Sequence, residues 1–195
     1  MKLIMATSNK DKVREIRQIL QGTDIDVLSM KEAGISCDID ETGTTFEENA
    51  AIKAKTIRDM TGELTIADDS GLVIDYLDGA PGIYSSRFMG EDTPYAEKNR
   101  MILEKLKEVP DEQRSARFVC AMAIAWPDGH TDICKETMEG RIAWEIAGEG
   151  GFGYDPIFYL PERGCTSAQL TADEKNAISH RGKALRKAVT ILTQR

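Results

Sequence analysis

Two adjacent carboxylates close an apolar run in IADDSGLVID (Ile66 to Asp75), with serine and glycine directly behind them. Asp and Ser-Gly are ordinary turn formers, because Asp hydrogen-bonds the backbone ahead of it and Gly accepts φ > 0 without steric cost. On local grounds the stretch reads as two strands, Leu64 to Ala67 and Leu72 to Leu77, joined by a polar turn. Carboxylates held at a strand end can equally bind a divalent cation and activate a water. Asp68 and Asp69 therefore carry two readings, and neighbouring clusters must separate them.

In MATSNKDK (Met5 to Lys12), a strand that turns through Thr7, Ser8 and Asn9 into a helix leaves backbone N–H groups and the positive helix end pointing outward, followed by Lys10, Asp11 and Lys12. That suits a phosphate, and an N-capped helix with solvated lysines fits it too. The stretch is neither a P-loop nor G-x-G-x-x-G. On the helix after Glu41, Asn49 and Lys53 project beside Phe46, Ala50 and Ile57, the side that should be buried. A lysine there needs an anionic partner or must snorkel outward. Glu41 itself reads as a solvated loop residue or as an oxygen ligand. The glycines of GGFGYD (Gly150 to Asp155) would let backbone approach a flat ligand on which Phe152 stacks, or simply make a tight connection with Phe152 packed inward. Lys175, His180 and Arg181 offer donors to a carbonyl or phosphate oxygen, although a lone histidine is commonly structural.

The elements that must position these groups follow from periodicity. Lys2 to Ala6 reads as a strand, and Val13, Ile16, Ile19 and Leu20 form one face of a helix ending at Gly22. Ile25 to Met30 is a second strand. Thr45 lies three residues before Glu48, a capping-box spacing that opens a helix running to Gly62. Asp78 to Phe88 is a Gly/Pro loop leading into a short helix, and Thr93-Pro94 starts another, with Tyr95, Ile102 and Leu106 inward and Pro110 at its end. Ser115 to Trp126 and the stretch from His130 read as a hairpin across Pro-Asp-Gly, Pro156 to Leu160 as a strand, and the segment from Ser179 as a helix with an Ala184, Leu185, Ala188, Val189, Leu192 stripe. The hairpin excludes a purely parallel sheet, so the expected fold class is α/β, a mixed β-sheet flanked by helices.

At 195 residues and 41% hydrophobic content the chain suits one domain, residues 1–195. Its formal charge of −8 and the lack of a basic stripe disfavour a nucleic-acid polymer as partner. No stretch is apolar enough to be a secretory signal or a membrane span, so the expectation is a cytoplasmic protein with no membrane partner. Cys37, Cys120, Cys134 and Cys165 lie far apart without C-x-x-C spacing, which argues against a zinc site or a disulfide framework.

Taken together and in order, ATSNKDK (Ala6 to Lys12), ETGTTFEENAAIKA (Glu41 to Ala54), ADDSGL (Ala67 to Leu72), GAPGIYSSRF (Gly79 to Phe88), GGFGYDPIF (Gly150 to Phe158) and ISHRGKAL (Ile178 to Leu185) resemble the inosine triphosphate pyrophosphatase family over nearly the whole chain. Ser8 departs from the glycine many members carry there. The resemblance implies an elongated, two-lobed fold with a central nucleotide-binding cleft, a homodimer, and Mg²⁺-dependent hydrolysis of ITP, dITP or XTP to the monophosphate and pyrophosphate. It makes Asp69 the catalytic base and a metal ligand, Glu41 a second metal ligand, and Thr7, Ser8, Asn9, Lys10, Asp11, Lys12 and Lys53 the triphosphate-facing set. Ser70, Phe152, Gly153, Tyr154, Asp155, Lys175, His180 and Arg181 would complete the nucleotide site, with Asp68 supporting the geometry or a second ion. A related pyrophosphatase for other nucleotides, or a sensor that binds without hydrolysis, are the rival readings; a sensor has no need of a water-activating carboxylate.

Overall fold

In the computed structural model, which describes residues 1–194, strands alternate with helices up to residue 125, and three further strands then precede the last two helices. β1 (Lys2–Met5), β2 (Asp26–Ser29), β3 (Thr65–Ile74), β4 (Ser115–Ala125), β5 (Thr131–Ile142), β6 (Phe158–Leu160) and β7 (Cys165–Thr166) form one sheet in the order β2-β1-β3-β4-β5-β6-β7. β1 is parallel to β2 and to β3, while β6 is antiparallel to β5 and β7, so the sheet is mixed. The helices are α1 (Lys10–Ile19), α2 (Phe46–Thr61), α3 (Tyr95–Lys105), α4 (Ala172–Ile178) and α5 (His180–Gln194).

The chain divides into two compact units, one built from residues 1–69, 120–136 and the segment from Arg181, the other from residues 70–119 and 137–180. The divisions fall inside β3, β4, β5 and the start of α5. Within the first unit, the two-residue period of the strands sorts side chains into two layers. Leu3, Met5, Ile66, Cys120, Met122 and Ile124 pack against Val13, Ile16 and Leu20 of α1 and Ala184, Leu185, Ala188 and Leu192 of α5. Ile4, Ala6, Ala67, Ala121, Ala123 and Ala125 pack against Ala50, Ala51, Ala54 and Ile57 of α2. Alanine on both surfaces of that second layer lets the helix lie close to the strands.

α2 starts as its spacing predicts: Thr45 Oγ1 accepts the Glu48 N–H at 3.1 Å. The Glu48 carboxylate, however, reaches Thr44 N at 2.6 Å and the Thr44 hydroxyl at 3.0 Å, so the reciprocal half of the capping box falls on the residue before. Gly62 ends the helix at φ 72°. In the second unit, Leu72, Ile74, Ile102, Leu106, Phe118, Met138, Ile142, Tyr154 and Phe158 form the core. There Arg114, 1% exposed, donates to the carbonyls of Leu106, Val109, Ile142 and Ala143, tying the end of α3 to the end of β5.

One expectation is overturned. Asp68, Asp69, Ser70 and Gly71 do not make a turn between two strands but lie in the middle of the single, ten-residue β3. Turn propensity is a local preference, and here cationic side chains from α1, α2 and α5 compensate the buried carboxylates so that the strand runs through. After Ile74 the chain forms a 3₁₀ turn over Asp75–Leu77 instead of extending the strand. α4 and β7, in segments without clear periodicity, were not foreseen.

Candidate active site

Asp68 and Asp69 are neighbours in an extended strand, so their side chains leave opposite faces of the sheet. Asp68 emerges on the side of α1 and α5. It is fully buried, and its Oδ2 accepts from Lys12 Nζ at 3.0 Å and from Arg181 Nη2 at 3.3 Å. Arg181, itself buried, also donates to Glu15 Oε2 at 2.5 Å. Burial works against the Arg181 charge, but Asp68 and Glu15 outweigh it and hold its pKa above the ordinary arginine value. Asp68 is thus a member of a compensated ion cluster. Glu15, the one site residue on this face that sequence reasoning missed, sits between Val13 and Ile16 on the apolar side of α1; a buried acid in that stripe was the available signal.

Asp69 emerges on the side of α2. Lys53 Nζ lies 3.3 Å from Asp69 Oδ1 and 3.0 Å from Glu41 Oε2, so the lysine does not snorkel. One ammonium serves two carboxylates, and the titration of the groups reflects the imbalance. Burial pushes the Lys53 pKa down, but Asp69, Asp68 and Glu41 together raise it above the usual lysine value. For Asp69 burial wins over the attraction of Lys53 and Lys12, and its pKa is raised. Both partners move upward because the pocket is short of positive charge. Asp69 Oδ2 is buried with no hydrogen-bond partner among the described residues.

The loop after β1 is organised by its own side chains. Thr7 Oγ1 accepts the Asn9 N–H at 3.2 Å, and Asn9 Oδ1 accepts the N–H groups of Asp11 and Lys12 at 2.9 and 3.2 Å. The expectation of outward-pointing N–H groups at this helix end is therefore corrected for Asp11 and Lys12, whose amides Asn9 caps. Lys12 turns inward to Asp68, whereas Ser8 and Lys10 are exposed. Thr7, Ser8 and Lys10 line one wall of a cavity of about 1160 Å³ shared with α1 and residues 29–38.

The second unit holds the other predicted residues, and Asp155 organises them. Only 2% exposed, it accepts from Phe152 N at 2.8 Å, Lys175 Nζ at 2.6 Å and Ser167 Oγ at 2.5 Å. Lys175 Nζ also lies 4.9 Å from the centre of the Phe152 ring. A side chain at Gly151, φ 66°, would come within 2.1 Å of Asp155 Oδ2, so only glycine fits the turn. Asn99 of α3 donates to Gly153 O at 3.1 Å. Tyr154 points into the core, where its hydroxyl donates to Ser85 O at 2.6 Å and its ring meets Tyr95 edge-on. His180 stacks on Phe118 with ring centres 4.8 Å apart. Ser70 follows Asp69 in β3 and is half-buried. Ser167, Asn99 and Phe118 were not foreseen, since nothing in their local sequence distinguishes them from packing residues. The donors of Arg181, expected beside those of His180, go instead to Asp68 and Glu15.

No group of three or more His, Cys, Asp or Glu among the described residues forms a ready cage for a metal ion. Mg²⁺ does not need one, because it keeps several waters and commonly takes one or two carboxylates together with substrate phosphates. Glu41 and Asp69 supply hard oxygen donors, one of them unpartnered, in a pocket short of positive charge. The donor set fits such an ion.

The sequence pattern of the Ham1 family matches residues 3–191. A dITP/XTP pyrophosphatase of Exiguobacterium sibiricum is 49% identical over 99% of this chain and 98% of its own length. That of Bacillus licheniformis is 47% identical over 98% of each. Among solved structures, a HAM1 protein from Coxiella burnetii superposes with a TM-score of 0.89 at 43% identity over the whole of both chains. The Staphylococcus aureus Ham1 protein gives 0.88 at 38%, covering 100% of this chain and 99% of that one.

Replacing Asp155 with alanine should remove three bonds, one of them the ion pair with the buried Lys175, at a cost of about 3 kcal/mol in urea unfolding. A loss below about 1 kcal/mol would mean that the Phe152 turn holds without its carboxylate.

Proposed function

The chain belongs to the Ham1 family, and we propose that it hydrolyses deaminated purine nucleoside triphosphates, ITP, dITP and XTP, to the monophosphate and pyrophosphate, clearing them from the nucleotide pool. The observation that carries the reading is the Asp69 carboxylate: buried, raised in pKa, beside a lysine and with one oxygen unpartnered. A carboxylate whose pKa is raised is a stronger proton acceptor near neutral pH. The names of the relatives give the substrate class.

In the proposed reaction Asp69 orients a water and takes its proton as the water oxygen bonds to the α-phosphorus. The bond from that phosphorus to the oxygen bridging to the β-phosphate breaks, and pyrophosphate leaves. Lys53, whose raised pKa keeps it charged, places a positive group beside the oxygens on which charge collects. Mg²⁺, held by Glu41, Asp69 and the phosphates, would supply further neutralisation of those oxygens. Thr7 through Lys12 face the triphosphate, with Lys10 as the exposed cation and Lys12 held by Asp68.

The base is assigned to the second unit. Phe152 offers the stacking surface, fixed by Asp155 and Lys175. Ser70, Gly153, Tyr154 and His180 complete that side, Tyr154 through its place in the core. Arg181 acts by holding Asp68. By family likeness the protein is assigned to a cytoplasmic homodimer. No described helix is long and apolar enough to cross a membrane, and the charge of −8 suits a small phosphorylated substrate bound locally rather than a nucleic-acid polymer.

Incubation with ITP, dITP, XTP, GTP, ATP and dTTP plus Mg²⁺ should release pyrophosphate, without free phosphate, from the first three in preference to the others. Absence of release from all of ITP, dITP and XTP would end the proposal. Asp69→Asn should lower turnover about 10²- to 10⁴-fold while nucleotide binding survives. Near-normal turnover in that variant would remove Asp69 from the base role.

A further inference from the structure

The segment that carries Glu41 belongs to no helix or strand, so something outside it must aim the carboxylate. Its last residues are pinned to the first turn of α2. Gly43 N donates to Asn49 Oδ1 at 2.9 Å, and Thr44 N donates to Glu48 Oε2 at 2.6 Å. Gly43 leaves no room for a side chain: a Cβ there would stand 2.6 Å from Glu48 Cβ and 2.7 Å from Asn49 Oδ1. The turn and the helix therefore touch at van der Waals range.

Asn49 is fully buried and lies one helical turn before Lys53, on the same face of α2. The bond from Gly43 settles which end of its amide is which, since only the carbonyl oxygen can accept an N–H. Its Nδ2 is then a buried donor without a partner among the described residues. An unpartnered donor is costly in a core, and here it lies on the helix face that presents Lys53 to Glu41 and Asp69.

We infer that Asn49 is a positioning residue of this site, acting through Glu41: its carbonyl oxygen holds the Gly43 turn, and the turn aims Glu41 at the cation-deficient pocket. The inference rests on the reading of Glu41 as a metal ligand. A group that orients a ligand sets metal affinity without touching the metal, and losing it commonly costs 10- to 100-fold.

Mn²⁺ alone, titrated against the protein and followed by electron paramagnetic resonance without nucleotide, tests it. Asn49→Ala should weaken Mn²⁺ binding about tenfold, and Gly43→Ala, which breaks the same contact from the other side, should do likewise. Because Asn49 acts through Glu41, adding Asn49→Ala to Glu41→Gln should bring no further loss. Urea unfolding of each variant identifies the folded fraction to which affinities are referred. Wild-type Mn²⁺ affinity in Asn49→Ala, or full additivity in the double variant, overturns the inference while leaving the hydrolase reading intact. Wild-type affinity in Glu41→Gln removes Glu41 as a ligand, and the inference with it.

Discussion

The pleat of one strand separates two carboxylates that the sequence writes side by side. β3 must send Asp68 and Asp69 to opposite faces, and both faces of the first unit are packed, so each carboxylate is buried and each needs a cation. The helices on the two sides answer differently. α1 and α5 supply Lys12 and Arg181 to Asp68, while Lys53 of α2 is shared between Asp69 and Glu41. One face is electrically satisfied and the other is not.

That difference gives the two carboxylates distinct settings. A compensated cluster around Asp68 joins α1, β3 and α5 and is suited to holding the Thr7 to Lys12 loop against the strand. The face of Asp69 has one lysine for two carboxylates and an Asp69 pKa raised by burial, the kind of perturbation that clusters at functional sites. Alanines 6, 67, 121, 123 and 125 of the strands meet alanines 50, 51 and 54 of α2, so the helix comes near enough for Lys53 to reach the strand. The Phe152 loop of the second unit follows the same logic, with Asp155 binding both a backbone amide and a lysine to fix an otherwise glycine-rich turn.

The sequence made the helices and most strands legible because their apolar spacing is local. It pointed to candidate site residues because their order resembles a known family. What it could not show was the path of the chain through IADDSGLVID, where Asp, Ser and Gly locally favour a turn. Of the cations that compensate these carboxylates, Arg181 is 113 residues away from Asp68. A separation of 166 residues likewise hides Glu15 as the second partner of Arg181, whose donors go to Asp68 and Glu15. Ser167 and Asn99 are silent for a similar reason, since their importance lies in contacts with Asp155 and Gly153 that only the fold creates. Asn49 stood beside Lys53 on the helical wheel, but its bond to Gly43 depends on how the preceding loop turns.

The most direct measurement of the division between the two aspartates is the unfolding free energy of Asp68→Asn and Asp69→Asn, each in urea at neutral pH without divalent cations. Asp68→Asn leaves Lys12 and Arg181 short of a buried carboxylate and should cost about 3 kcal/mol. Asp69→Asn removes a charge that burial disfavours and leaves Lys53 with Glu41, so stability should be unchanged or higher by up to about 1 kcal/mol. Equal losses in the two variants, or a larger loss for Asp69→Asn, would contradict the account.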